Sequence, residues 1–74
     1  MKAHVAICRG KIIRYRIITT AGNYGIAVEY GGEQAVIENL TSCREAMEAL
    51  VLALRKGRVP PVALRDVVED WLER

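Results

Sequence analysis

Seventy-four residues with a formal net charge of +2 make one domain, near the size at which folding buries only about 60% of the unfolded chain's surface, so an association partner would add stability. A composition of 51% hydrophobic and 27% charged residues excludes the disordered and low-complexity classes. No apolar run approaches the ~20 residues of a membrane span, and Arg9, Lys11, Arg14 and Arg16 interrupt the stretch where a signal peptide needs its apolar segment, so a cytoplasmic protein without membrane association is expected.

From Ala3 to Cys8, Val5 and Ile7 alternate with His4 and Ala6 and predict a strand, turned by Arg9, Gly10 and Lys11. The run Ile12 to Thr20 is rich in β-branched residues. It separates into Ile13, Tyr15 and Ile17 on one face and Ile12, Arg14, Arg16 and Ile18 on the other. Ala21, Gly22 and Asn23 turn the chain, after which Tyr24, Ile26, Val28 and Tyr30 alternate with Gly25, Ala27 and Glu29. Gly31 and Gly32 suit a tight hairpin turn, and Gln34 to Glu38 gives a short fourth strand.

From 42 to 57 a helix is expected, because Cys43, Ala46, Met47, Leu50, Val51 and Leu54 recur at spacings of three and four. Ser42 with Glu45 reads as a capping box, with Thr41 the alternative cap, and Gly57 as the left-handed C-terminal residue. Leu52 projects opposite that stripe, among Glu45, Glu48 and Lys56. Pro60 and Pro61 stop this helix and start another, Pro61 to Leu72 within the segment 61–73, whose core side carries Leu64, Val67, Val68, Trp71 and Leu72. Asp66, Glu69, Asp70 and Glu73 form an acidic stripe on the other side.

Short turns between consecutive strands and two amphipathic helices imply an α+β fold, an antiparallel three- to four-stranded β-meander with two C-terminal α-helices packed on one face. The meander occupies 1–38. The opposite sheet face would be bare, carrying His4, Ala6, Cys8, Ile12, Arg14, Arg16, Ile18 and Ala27.

Tyr24-Gly25-Ile26 in a strand, Glu38-Asn39-Leu40-Thr41 before a helix, then Pro60, Leu64 and Asp66-Val67-Val68-Glu69-Asp70 together resemble a family of short, uncharacterised bacterial proteins, a domain of unknown function in Firmicutes. The resemblance runs from about Tyr15 onward and omits the first strand and the doubled proline. It implies a compact cytoplasmic domain and transfers no catalytic or binding residue.

The candidate chemistry is sparse. Cys43 stands in the first turn of a helix, where a thiol can be activated, yet it lies on the apolar stripe with His4 the sole histidine, so a core role is expected. Cys8 and Cys43 do not make a zinc site and are expected to be reduced. Neither a cofactor nor a metal is expected, and no enzymatic activity. Lys11, Arg14 and Arg16 could meet successive phosphates, which makes a nucleic-acid-binding domain the alternative function. The preferred reading is a non-enzymatic protein-interaction or regulatory module. It is expected to be homo-oligomeric, a dimer by preference, with contacts drawn from Leu52, Ile12, Ile18, Arg14 and Arg16 and from the acidic Asp66, Glu69, Asp70 and Glu73.

Overall fold

Three two-residue turns set the sheet. Arg9-Gly10, Ala21-Gly22 and Gly31-Gly32 all have positive φ at both positions (53° and 78°, 51° and 85°, 55° and 86°). That is the turn geometry whose twist matches the right-handed twist of paired strands. The computed structural model describes residues 4–73. Its strands β1 (His4–Cys8), β2 (Lys11–Thr20), β3 (Asn23–Tyr30) and β4 (Glu33–Thr41) make one antiparallel sheet of order β1-β2-β3-β4. Ala3, expected to open the first strand, lies outside the described residues.

The turn length decides which side chains face which way. With only Arg9 and Gly10 between the strands, Cys8 stands opposite Lys11 and Ala6 opposite Ile13. Residues directly opposite share a face, so Ala6 and Cys8 pack with Ile13 against the helices, and Val5 and Ile7 take the bare face. This corrects the expected placement of His4, Ala6 and Cys8. A third residue in the turn would have shifted the parity by one and exchanged the two sets.

β4 runs further than expected, because Tyr24 pairs with Thr41 while Ile26 pairs with Ile37, leaving Glu38, Asn39 and Leu40 bulged opposite Gly25. Asn39 absorbs the irregularity with φ of 55°. Gly25 is buried beneath the bulge: a Cβ there would collide with the Ile37 carbonyl oxygen and stand 2.9 Å from the Glu38 Cα. Two of the segments that carry the family resemblance thus meet in one structural device.

Helix α1 (Arg44–Lys56) contacts all four strands, and α2 (Pro61–Leu72) packs on β3 and β4. The core between the layers is Ile13, Tyr15, Ile26, Val28, Met47, Leu50, Val51, Leu54, Val59, Leu64 and Val68. Tyr24, Tyr30, Ile37, Leu40 and Trp71 pack at its margin. The Tyr15 hydroxyl donates to the Val59 carbonyl oxygen at 2.9 Å, and the Tyr30 hydroxyl to the Cys8 carbonyl oxygen at 3.2 Å.

The helix ends differ from the sequence expectation. α1 begins two residues after Ser42, with Cys43 in an extended conformation as its N-cap and no side-chain capping bond. Thr41 instead accepts the Cys43 amide on its Oγ1 at 3.1 Å, one step before the helix. At the other end Gly57 is right-handed (φ −82°) and Arg58 holds the left-handed position (φ 51°). The Arg58 amide bonds Arg55 O at 3.2 Å and the Val59 amide bonds Leu54 O at 3.0 Å, the Schellman pattern with its apolar Val59 and Leu54 both in the core. α2 starts with Pro61 buried in its first turn, but Leu72 is exposed rather than core, lying about 80° around the helix from Leu64.

Candidate functional site: the uncovered sheet face

On β2, Ile12, Arg14, Arg16 and Ile18 alternate with the buried Ile13 and Tyr15, so they project away from the helices. The register extends this face in rows: Ile7 beside Ile12, then Val5, Arg14, Glu29 and Gln34, then Arg16, Ala27 and Val36, then Ile18 beside Gly25. Ile7 is 64%, Ile12 51% and Val36 44% exposed, whereas Ala27, in the centre, is 4% exposed beneath the larger side chains around it. The face is an apolar surface crossed by two arginines and a glutamate. Val5, Ile7 and Val36 join the residues that periodicity alone assigns to this face, and the two-residue length of the Arg9-Gly10 turn is the signal that places the first two.

The basic triad is divided. Arg14 and Arg16 share the bare face, but Lys11 has the parity of Ile13 and Cys8 and belongs to the helix side of the sheet. Arg14 also stands directly opposite Glu29, so this face carries both signs of charge. Arg16 faces Ala27.

Leu52 is 56% exposed on the outer side of α1, with Ala49 and Ala53 exposed beside it. Asp66, Glu69 and Asp70 on α2 and Glu73 at its C-cap are all exposed, on the side away from Leu64 and Val68. Leu52 and the acidic stripe therefore lie on the helix side of the molecule and the arginine face on the other, and the fold brings none of them together.

Cys43 is exposed, not core. As N-cap it has φ −94° and ψ 112°, so its side chain departs from the helical stripe that its sequence position suggests. Cys8 is half-buried against the core, and both thiols are free. Among the described residues no group of three or more His, Cys, Asp and Glu side chains is placed to hold a metal ion. No helix of the described residues is long and apolar enough to cross a membrane. Burial pushes the Tyr15 phenol up to about 12, with the neighbouring Cys8 acting in the same direction. Its hydrogen bond to Val59 makes it a tie between sheet and interhelical loop.

A family model described as a family of unknown function (DUF6514) matches residues 6–74, and the chain belongs to that family. The match starts at Ala6, within the first strand, so it extends beyond the segments from Tyr15 onward that carry the resemblance. No curated protein and no solved structure matches the chain.

Proposed function

We propose that this member of the DUF6514 family is a non-enzymatic interaction or regulatory module of the bacterial cytoplasm, and that its uncovered sheet face joins a second copy in a homodimer. The observation that carries the reading is the contrast between the two faces. One is sealed by two helices; the other leaves Ile7, Ile12 and Val36 about half exposed around a buried alanine. An apolar sheet face of this kind gains by burial against another surface.

Symmetry and charge favour a second copy. Two identical sheet faces related by a two-fold axis form a closed, isologous contact, and the face carries both signs, so Arg14 or Arg16 of one copy can meet Glu29 of the other. A contact between the arginine face and the acidic stripe of α2 is less suitable, because the two surfaces lie on opposite sides of the molecule. Such a contact is head-to-tail and leaves a free surface at each end. Four strands of about eight residues give a face of roughly 19 by 27 Å, about 500 Å² in projection, the same order as the ~800 Å² each partner contributes to a standard interface.

Sedimentation at micromolar concentration tests the proposal. Wild type should sediment at twice its 8.3 kDa monomer mass. Ile12→Asp and Val36→Asp should give folded monomers by circular dichroism, and Leu52→Asp should remain dimeric. A wild-type monomer, or dissociation by Leu52→Asp alone, rejects the sheet face. If the monomer instead binds an oligonucleotide with an affinity that falls steeply with salt, the nucleic-acid reading takes its place.

A further inference from the structure

The two open edges of the sheet differ in charge. Beside β1 lie Arg9 and Lys11 at its hairpin, and an open depression of ≈ 410 Å³ between this strand and the end of α1 is lined by Val5, Ala6, Ile7, Arg55, Lys56 and Arg58. No acid precedes Glu29 in the chain, and among the described residues none that lines the depression is acidic. The opposite edge, β4, carries Glu33 and Glu38, and α2, with Asp66, Glu69, Asp70 and the C-cap Glu73, packs over β3 and β4. Some basic charge beside β1 follows from the helix dipole, which favours Arg55 and Lys56 in the last turn of α1. Arg58 does not follow from it. At φ 51° it occupies a position where glycine is the favoured residue, and it places a third cation in the depression at a cost in stability.

We propose that the edge of β1 and the basic end of α1 form a docking site for an acidic, extended peptide segment of a partner protein, which adds to the sheet beside β1 as a fifth strand. As an edge strand, β1 presents backbone amide and carbonyl groups along its outer side, which an extended chain satisfies with its own. Alternate carboxylates of that chain lie within reach of Arg55, Lys56 and Arg58, where charge-assisted hydrogen bonds add specificity. A second copy fits this edge less well, since the bulge at Glu38–Leu40 interrupts its acidic strand β4 and the resulting β1-to-β4 contact does not close. A polynucleotide supplies the charge but lacks the repeating amide and carbonyl groups that pair with a strand edge.

The test uses the full chain and four fluorescent probes: an eight-residue peptide alternating Glu and Val, its Lys-Val counterpart, the Glu-Val peptide with alternate amides N-methylated, and oligo-dT. Anisotropy should show binding of the Glu-Val peptide alone, with NMR shifts of amides in His4–Cys8. The paired variant Arg55→Ala/Lys56→Ala should weaken binding by about tenfold, and Arg58→Gly should weaken it while raising thermal stability. Val36→Asp, at the far edge, should bind as wild type does, so loss of dimerisation and loss of docking are read separately. Equal binding of the N-methylated or Lys-Val peptide overturns strand addition at a basic edge. So does tighter binding of oligo-dT without shifts in β1, which would make the patch a polyanion site, or no binding of the Glu-Val peptide at all.

Discussion

Tyr15 links β2 to the loop between the helices through a single buried hydrogen bond, 44 residues away in sequence. Tyr15→Phe keeps the ring and leaves the buried Val59 carbonyl without its donor, so chemical denaturation should show a loss of about 1–2 kcal/mol. The same phenol makes stability depend on alkali. Its pKa is about 12 in the folded chain against 10.0 for the ordinary group, so between those values the unfolded chain gives up its proton first and folding weakens as pH rises. This contribution is complete below pH 10 and declines by about 2–3 kcal/mol as pH approaches 12. Tyr15→Phe should flatten that part of the stability–pH curve; an unchanged slope would show that the phenol ionises alike in both states. Arg58 supplies the opposite test. Replacing its left-handed backbone strain with glycine's freedom should stabilise the chain by about 0.5–1 kcal/mol, measured as a higher denaturation midpoint.

At the scale of elements, periodicity carried most of the information. The alternation of Ile13, Tyr15 and Ile17 with Ile12, Arg14 and Arg16, and the three-four spacing of Met47, Leu50, Val51 and Leu54, predicted β2 and α1 because each pattern has one buried side. What stayed illegible was set at the junctions. The facing of β1 depended on whether its turn holds two residues or three, and the exposure of Cys43 on where helical geometry begins. The left-handed C-terminal position fell to Arg58 one residue beyond the obvious glycine, because the Schellman bonds close on Leu54 and Arg55. Sequence alone predicts an early end to β4 because Asn39 has the character of a loop residue, whereas it is the pivot of a bulge. The bulge makes Gly25 a demanding position. Gly25→Ala places a methyl against backbone atoms of β4 that cannot move as a side chain can, so a loss of about 2–4 kcal/mol is expected in denaturant unfolding. A loss below 0.5 kcal/mol would mean the two strands separate there at little cost.

For the whole molecule, two layers leave one sheet face without cover, and 74 residues leave little core from which to draw stability. The proposed dimerisation through that face would answer both conditions, since it would bury Ile7, Ile12 and Val36 and make the sheet an interior layer. Stability should then rise with protein concentration, because association draws the folded population with it, and the denaturation midpoint should climb over a hundredfold concentration range. For Ile12→Asp it should not. The face was partly legible from Arg14, Arg16, Ile12 and Ile18, but its extent across four strands depends on a register that composition and periodicity do not specify. The most direct measurement is an isotope-filtered NMR experiment on a mixture of labelled and unlabelled chains, which detects only contacts between copies. Dimerisation through the uncovered face predicts intermolecular contacts among the methyl groups of Ile7, Ile12 and Val36. Their absence at millimolar concentration, or contacts confined to Leu52 and α2, would contradict it.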